Sequence, residues 1–226
     1  MKNLAKFVFL IMLLPTAALA EGGDDDSIWN NTLKTQFFAG KTIEESDAVI
    51  ELEAPYRAED PAIVPVKVTS KMPQGKDKYI KKIWVLVDKN PFPFVGEFEF
   101  FPESGKADLA MRVRVNPYSY IRAIAESNDG KLTMSKKFVK ASGGCSAPVG
   151  ADLDEAMKRL GKVKFRLDDG MKPGQPTEAQ LMISHPNLTG MQMDQMTRYV
   201  RKSHFIDRLK VTINDKPVLN AKIDIA

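Results

Sequence analysis

The β character of the chain is plainest in Ile83-Trp84-Val85-Leu86-Val87, five consecutive apolar residues in the first half of the sequence. A short apolar run that is rich in β-branched and aromatic side chains is typical of a buried strand. We therefore interpret this run as the central strand of a β-sheet.

Patterns on both sides of this run predict further strands. Apolar and polar residues alternate over 50–54, 97–100 and 109–115, and other β-rich runs cover 63–68, 120–125 and 132–139. Pro65 indicates an edge or a bulge, and Ser127-Asn128-Asp129-Gly130 predicts a hairpin turn. Because no helical pattern separates these strands, residues 28–140 are expected to form an antiparallel β-sandwich.

The first twenty residues have the features of an export signal. A positive start, an apolar run over 7–14 and the small-x-small pattern Ala18-Leu19-Ala20 predict a signal peptide over residues 1–20, cleaved between Ala20 and Glu21. The alternative is an uncleaved membrane anchor, but the apolar run is shorter than the ~20 residues that a bilayer requires. The expected location is the periplasm of a Gram-negative bacterium, with no membrane attachment after cleavage.

A short amphipathic helix is expected to precede the first sandwich. Ser27 can cap it, Trp29, Leu33 and Phe37 fall on one face, and Gly40 supplies a stop. The apolar face is interpreted as core packing.

Composition excludes several classes of function. Signal cleavage removes two lysines, so the net charge falls from +4 to about +2, and no basic stripe is interleaved with aromatics as nucleic-acid binding requires. One cysteine and two histidines at unrelated spacings match no metal-ligand pattern, and no cofactor motif is present.

A second β region follows a small, polar stretch, residues 141–150, which is interpreted as a linker. Residues 151–226 predict a short helix and four strands, at 163–167, 179–183, 209–213 and 219–225. A sandwich of four strands has an exposed edge and a thin core. Either the first domain completes this sheet, or the sequence lacks a final hairpin.

The chain's only cysteine, Cys145, lies in this linker within Ser142-Gly143-Gly144-Cys145-Ser146-Ala147-Pro148. Such loop-forming residues predict an exposed thiol, and Gly143 and Gly144 predict a flexible arm. A lone thiol on an exported protein indicates covalent attachment, such as a mixed disulfide with another molecule, or a free reactive group.

Two alternatives to covalent attachment stay open. The cysteine could be an incidental loop residue, or the nucleophile of an enzyme that uses His185 or His204 as its base. The histidines are more often structural groups that hydrogen-bond to the backbone.

Met191, Met193 and Met196 are expected to fill space between two sandwiches, or else to form an adaptable contact surface.

The motifs resemble two subunits of the thiosulfate-oxidising complex. Ala58-Glu59-Asp60, Val64-Pro65-Val66, the run from Leu86 to Pro93 and Gly143-Gly144-Cys145 resemble SoxY, the sulfur-carrying subunit. The SoxZ-like motifs are Ile183-Ser184-His185-Pro186, Thr189-Gly190 and Phe205-Ile206 after Arg201-Lys202. The fused order is similar to the quinoprotein dehydrogenase-associated SoxYZ-like carriers.

The resemblance implies an all-β protein of two immunoglobulin-like β-sandwiches in tandem, behind a short N-terminal helix. It implies a non-catalytic carrier that holds a sulfur-containing group on Cys145 for partner enzymes, either sulfur-oxidation enzymes or a quinoprotein dehydrogenase with a c-type cytochrome. The alternative is an accessory module of the dehydrogenase system in which the cysteine is dispensable.

The sequence departs from this family in two ways. The family's arm ends the chain with glycines on both sides of the cysteine, whereas Ser146-Ala147-Pro148 follows here and the chain continues. Asn187-Leu188 replaces the Met-Glu that usually follows the His-Pro pair. An arm that is tethered at both ends has less reach than a free tail.

Overall fold

The structure is a computed structural model that describes residues 25–148, 153–168, 170, 172, 174–194 and 196–224. The predicted signal peptide and its cleavage site lie outside the described residues. Within the described ranges, no helix has the length and apolar content needed to cross a membrane.

The described part of the chain is mostly β, as predicted. Its strands are β1 (Ile43–Glu45), β2 (Ile50–Glu53), β3 (Val64–Ser70), β4 (Ile80–Val87), β5 (Phe94–Phe100), β6 (Leu109–Val113), β7 (Ser119–Ser127), β8 (Leu132–Val139), β9 (Val163–Leu167), β10 (Ala179–Ile183), β11 (Arg208–Ile213) and β12 (Lys216–Ile223). The helical elements are a π-helical turn (Trp29–Leu33), α1 (Lys34–Phe38), α2 (Leu153–Lys158) and the 3₁₀ turns Pro102–Ser104 and Gly144–Ser146.

The strands form one large sheet and two small ones. The large sheet has the order β1-β8-β7-β4-β5-β12-β11, and the second has the order β2-β3-β6. The third is a two-stranded sheet of β9 and β10. The run from Ile83 to Val87 lies in β4, between β7 and β5, so its interpretation as a central strand is confirmed. The predicted hairpin turn after β7 is also present, with Gly130 at φ +83°.

The main core lies between the large sheet and β2-β3-β6. Alternate residues of β3 face it, and Val64, Val66 and Val68 pack with the buried side chains of β4 and β7. Each fully buried aliphatic side chain stabilises the fold by about 1.5–3 kcal/mol relative to exposure. β3 is the middle strand of its sheet, and Pro65 lies opposite Arg112 of β6 with no bulge in this pairing. Because β2 ends opposite Lys67, Pro65 lies at an edge only on the β2 side.

The N-terminal helix covers the opposite face of the large sheet. Trp29, Leu33 and Phe38 are buried there against Leu86 and Ile124. Phe37, expected on this face, is only partly buried. The π-helical turn adds a residue to the helical repeat, which brings Phe38 onto the face in its place.

The last hairpin of the chain belongs to the large sheet. β12 pairs antiparallel with β5, so that Ala221 lies opposite Phe98, and β11 forms the outer edge. Asn214 and Asp215 turn this hairpin with φ of +48° and +63°. The hairpin of β11 and β12 thus extends the large sheet, and it does not pair with β9 or β10.

The remaining strands of the second region stand apart as a two-stranded sheet. Val163, Phe165 and Leu167 of β9 alternate on one face and are between 45% and 63% exposed. In the described part of the chain, the strands of residues 151–226 are thus divided between this two-stranded sheet and the large sheet.

Candidate functional site

The segment that carries the lone cysteine is packed into the protein. Cys145 lies in the 3₁₀ turn Gly144–Ser146 and is only 1% exposed. The prediction of an exposed thiol is therefore wrong. The segment lies against the loop before β3 and the loop after β6, and these loops supply partners that the local sequence does not reveal.

The two glycines before the cysteine permit this close approach. A Cβ on Gly144 would lie 2.0 Å from the Pro61 carbonyl oxygen and 2.8 Å from that of Val115. Gly143 has φ +84°, in the left-handed region that favours glycine. In this structure Gly144 is tightly fitted against neighbouring backbone, Gly143 supplies the positive φ of the turn, and the two do not form an exposed arm.

Hydrogen bonds from the first region hold the segment in place. Gly143 N–H donates to Asn116 Oδ1, and Gly144 N–H donates to the Val115 carbonyl at 3.2 Å. Arg114 Nη1 donates to the Gly144 carbonyl at 2.8 Å. Asn90 in turn positions Arg114 and Asn116, which both follow β6. The Asn90 side chain donates to the Arg114 carbonyl at 2.8 Å and accepts from Asn116 N–H at 2.7 Å.

The second region covers the segment from the other side. Thr189 Oγ1 donates to the Cys145 carbonyl at 2.9 Å, and Thr189 is itself buried. Its backbone N–H donates to Gln192 Oε1 at 3.0 Å, and its hydroxyl accepts from Met191 N–H at 3.0 Å. The thiol therefore lies at the junction of the two regions.

Burial and one cation act on the thiol in opposite directions. Burial raises the pKa of Cys145, and the positive charge of Arg114 partly opposes this rise. Burial also lowers the pKa of Arg114, which has no ion-pair partner among the described residues. The packed thiol is therefore largely protonated at neutral pH and is a weak nucleophile in this state.

The two histidines contact each other. The rings of His185 and His204 lie edge to face with centroids 4.6 Å apart. Burial and the nearby His204 lower the pKa of His185, whose Nδ1 accepts from Asn187 N–H at 3.1 Å. In the described ranges neither imidazole is hydrogen-bonded to Cys145, so the geometry supplies no base for a cysteine enzyme.

The remaining candidates from the sequence are metal ligands and the methionines that follow Gly190. Within the described residues, no cluster of three or more histidine, cysteine, aspartate and glutamate side chains could hold a metal ion. Met193 and Met196 are 50% and 94% exposed, so the expectation that they fill space between sandwiches is wrong.

Sequence reasoning missed a buried charge cluster beneath the N-terminal helix. Arg122 of β7 is fully buried, and its Nε and Nη2 donate to the Asp88 carboxylate at 2.7–2.9 Å. Arg122 also pairs with Asp26 and stacks on Trp29, 4.7 Å from the ring centre. Burial alone would lower the pKa of Arg122, but the hydrogen bonds and charge of Asp88 outweigh burial and raise it. Asp88 lies in the SoxY-like run from Leu86 to Pro93, and this run was the signal in the sequence that could have pointed to the buried cluster.

The regions on either side of the thiol match two different families. "Sulfur oxidation protein SoxY" matches residues 34–145, and "Sulphur oxidation protein SoxZ" matches residues 165–226. The chain is a fusion of a SoxY-like and a SoxZ-like region. Within this fusion, Cys145 is the last residue of the SoxY match, and Thr189 belongs to the SoxZ match.

Solved structures similar to the fusion cover its SoxY-like half. The sulfur carrier protein SoxY from Chlorobium limicola f. thiosulfatophilum is 28% identical, with a TM-score of 0.40 over 48% of this chain and 87% of that chain. A superoxide reductase (neelaredoxin) from Ignicoccus hospitalis is 20% identical, with a TM-score of 0.36 over 41% and 79% of the two chains. No curated protein matches the fusion.

Proposed function

We propose that the SoxY–SoxZ fusion is a non-catalytic periplasmic carrier that holds a sulfur-containing group covalently on Cys145 while partner enzymes act on that group. The observation that carries this proposal is the position of Cys145. It is the chain's only cysteine, it ends the SoxY match, and a SoxZ-like residue covers its segment.

The chemistry of loading is thiol exchange. A Cys145 thiolate attacks a divalent sulfur of the donor, a new S–S bond forms, the donor's S–S bond breaks, and its leaving group departs with the electron pair. The thiol proton goes to solvent, the cysteine sulfur is oxidised, and the donor is reduced. A second thiolate can reverse the step, which allows the group to be unloaded.

Loading requires the segment to leave its packed position. The described anchors of its backbone are four hydrogen bonds, from Gly143, Gly144, Arg114 and Thr189. Each such bond contributes about 0.5–1.5 kcal/mol net, so breaking all four costs about 2–6 kcal/mol and the released segment is a minor, transient state. The exposed thiol would then have a lower pKa than the packed thiol and would be more reactive.

The proposed partners are enzymes of sulfur oxidation, or a quinoprotein dehydrogenase with a c-type cytochrome. This proposal also includes three expectations from the sequence. They are the immunoglobulin-like character that the resemblance implies, the domain limits 28–140 and 151–226, and export with cleavage after Ala20.

Mass spectrometry of tetrathionate-treated protein tests the carrier function. Attack of Cys145 Sγ on a central sulfur of tetrathionate releases thiosulfate and leaves the adduct Cys145 Sγ–S–SO₃⁻. The residue thereby gains the mass of one S₂O₃ group. We expect this adduct on wild type and its loss on reduction, while Cys145→Ser stays unmodified. A thiol that remains unmodified after prolonged treatment of the folded protein would contradict the proposal.

The burial of Cys145 favours one alternative, an accessory module in which the cysteine has only a packing role. In that case Cys145→Ser would support the pathway of its host fully, because serine preserves the size and backbone contacts of the segment. Loss of pathway function in a stably folded Cys145→Ser protein would exclude this alternative.

A further inference from the structure

A cation that forms no ion pair with any described carboxylate lies beside the thiol. Arg114 is half-buried, its charge acts on Cys145, and its Nη1 holds the Gly144 carbonyl. Asp60 is the carboxylate whose charge acts on Arg114, but the two form no ion pair. A guanidinium has five N–H donors, so the single described hydrogen bond leaves most of its donor capacity available.

A second unused donor is buried at the same junction. Gln192 is only 1% exposed, and its Nε2 finds no hydrogen-bond partner among the described residues. Its Oε1 is fixed by Thr189 N–H, and the Thr189 hydroxyl holds the Cys145 carbonyl. The orientation of the amide is therefore settled, and the free group is the N–H₂ donor. A buried donor left unsatisfied costs about 1–3 kcal/mol, which an acceptor ligand would recover.

We propose that Arg114 and Gln192 form an anion-binding site beside Cys145, which accepts the sulfonate end of the group carried on that thiol. For a covalent cargo this inference rests on the proposed carrier function. A sulfonate has three acceptor oxygens and one negative charge, which matches a guanidinium together with an amide N–H₂ group.

The site combines one group from each region. Arg114 follows β6 in the SoxY-like region, whereas Gln192 belongs to the SoxZ-like loop that also supplies Thr189. The anion would therefore bridge the regions at the thiol and favour the packed position of the loaded segment. The partly dehydrated junction strengthens such charge-assisted hydrogen bonds relative to water.

Titration of the Cys145→Ser protein with thiosulfate tests the site without covalent chemistry. Thiosulfate binding is followed by calorimetry at constant ionic strength, and chloride serves as the reference anion. Adding Arg114→Gln or Gln192→Leu to this protein should weaken thiosulfate binding at least about tenfold, the loss expected for a hydrogen bond to a charged group. Arg112→Gln is the matched control, since Arg112 is an exposed arginine of β6.

The outcomes separate this inference from the carrier function. Equal thiosulfate affinity in all these variants, or no binding above the chloride reference, would overturn the anion site even if tetrathionate loads Cys145. Binding that depends on Arg114 and Gln192 but not on Arg112 would support the site even if no adduct forms.

A second measurement guards against variants that fold poorly. Gln192→Glu keeps the size of the side chain but places a carboxylate at the site. In a protein with wild-type circular dichroism, this change should weaken thiosulfate binding more than Gln192→Leu does. Equal effects of the two changes would contradict a direct contact with the anion.

Discussion

Thr189 donates a hydrogen bond from its hydroxyl to the backbone carbonyl of Cys145 at 2.9 Å, so the SoxZ-like region directly holds the residue that ends the SoxY match. This bond joins residues that are 44 positions apart in the chain. It makes the accessibility of the thiol a property of both regions together.

Removing the Thr189 hydroxyl should release the thiol. Thr189→Val preserves shape but loses about 1 kcal/mol of hydrogen bonding, so the alkylation rate of Cys145 by iodoacetamide should rise about fivefold. Thr212→Val, on the exposed strand β11, is the control and should leave the rate unchanged. An unaltered rate in a folded Thr189→Val protein would show that this bond does not guard the thiol.

Adding one methyl group at Gly144 should displace the segment. The new Cβ would overlap the backbone of Pro61 and Val115, which cannot move away cheaply. We expect the alkylation rate to rise at least about tenfold and the free energy of unfolding to fall by about 1–3 kcal/mol.

Gly143→Ala is the matched control for this change. It meets open space and suffers only the strain of a positive φ, about 1–2 kcal/mol. Its thiol should remain much less reactive than that of Gly144→Ala. Similar alkylation rates in the two variants would contradict the close-approach argument.

The packing of the thiol should weaken at alkaline pH. Burial raises the pKa of Cys145 against the opposing charge of Arg114, so the packed state keeps its proton longer than the released state does. Packing is therefore fully stable below the pKa of an exposed thiol and is lost as the pH rises through the higher pKa of the packed thiol.

Ultraviolet absorbance of the thiolate measures this shift. The titration of wild type should be centred at a higher pH than that of Gly144→Ala, in which the thiol is released. Coincident titration curves would mean that burial does not set the thiol's pKa.

Breaking the buried pair of Arg122 should cost far more than breaking a surface pair. Asp88→Asn removes the main partner of a fully buried guanidinium, so unfolding by denaturant should show a loss of about 3 kcal/mol. Glu53→Gln, which removes an exposed ion pair of 3.5 Å with Lys67, should cost less than about 1 kcal/mol. Comparable losses would mean that Asp26 alone sustains the buried charge.

A charge at Ala221 should destabilise both regions at once. Ala221 is buried on β12 opposite Phe98 of β5, so Ala221→Asp places an unpaired carboxylate in the shared sheet. We expect the whole chain to unfold in one transition at lower denaturant concentration, whereas Lys222→Gln on the exposed face has little effect. Separate transitions in wild type would show that the hairpin does not couple the regions.

The strands were predictable because their signals are local. The apolar run in β4, the alternation in β2 and β6, and the turn at Asn128-Asp129-Gly130 each depend on residues close in sequence. The three-residue strand β1, which pairs parallel with β8, is too short to produce such a pattern. The π-helical turn that buries Phe38 in place of Phe37 also leaves no periodic signal.

The sequence by itself determined the β character of the chain, the identity of its only thiol and the order of the SoxY-like and SoxZ-like motifs. Only the tertiary structure decided that β12 joins β5 and that Cys145 is packed beneath Thr189. Both depend on contacts between residues far apart in the chain. Loop-forming residues around a cysteine predict the local backbone, but burial is set by whatever the rest of the fold brings against it.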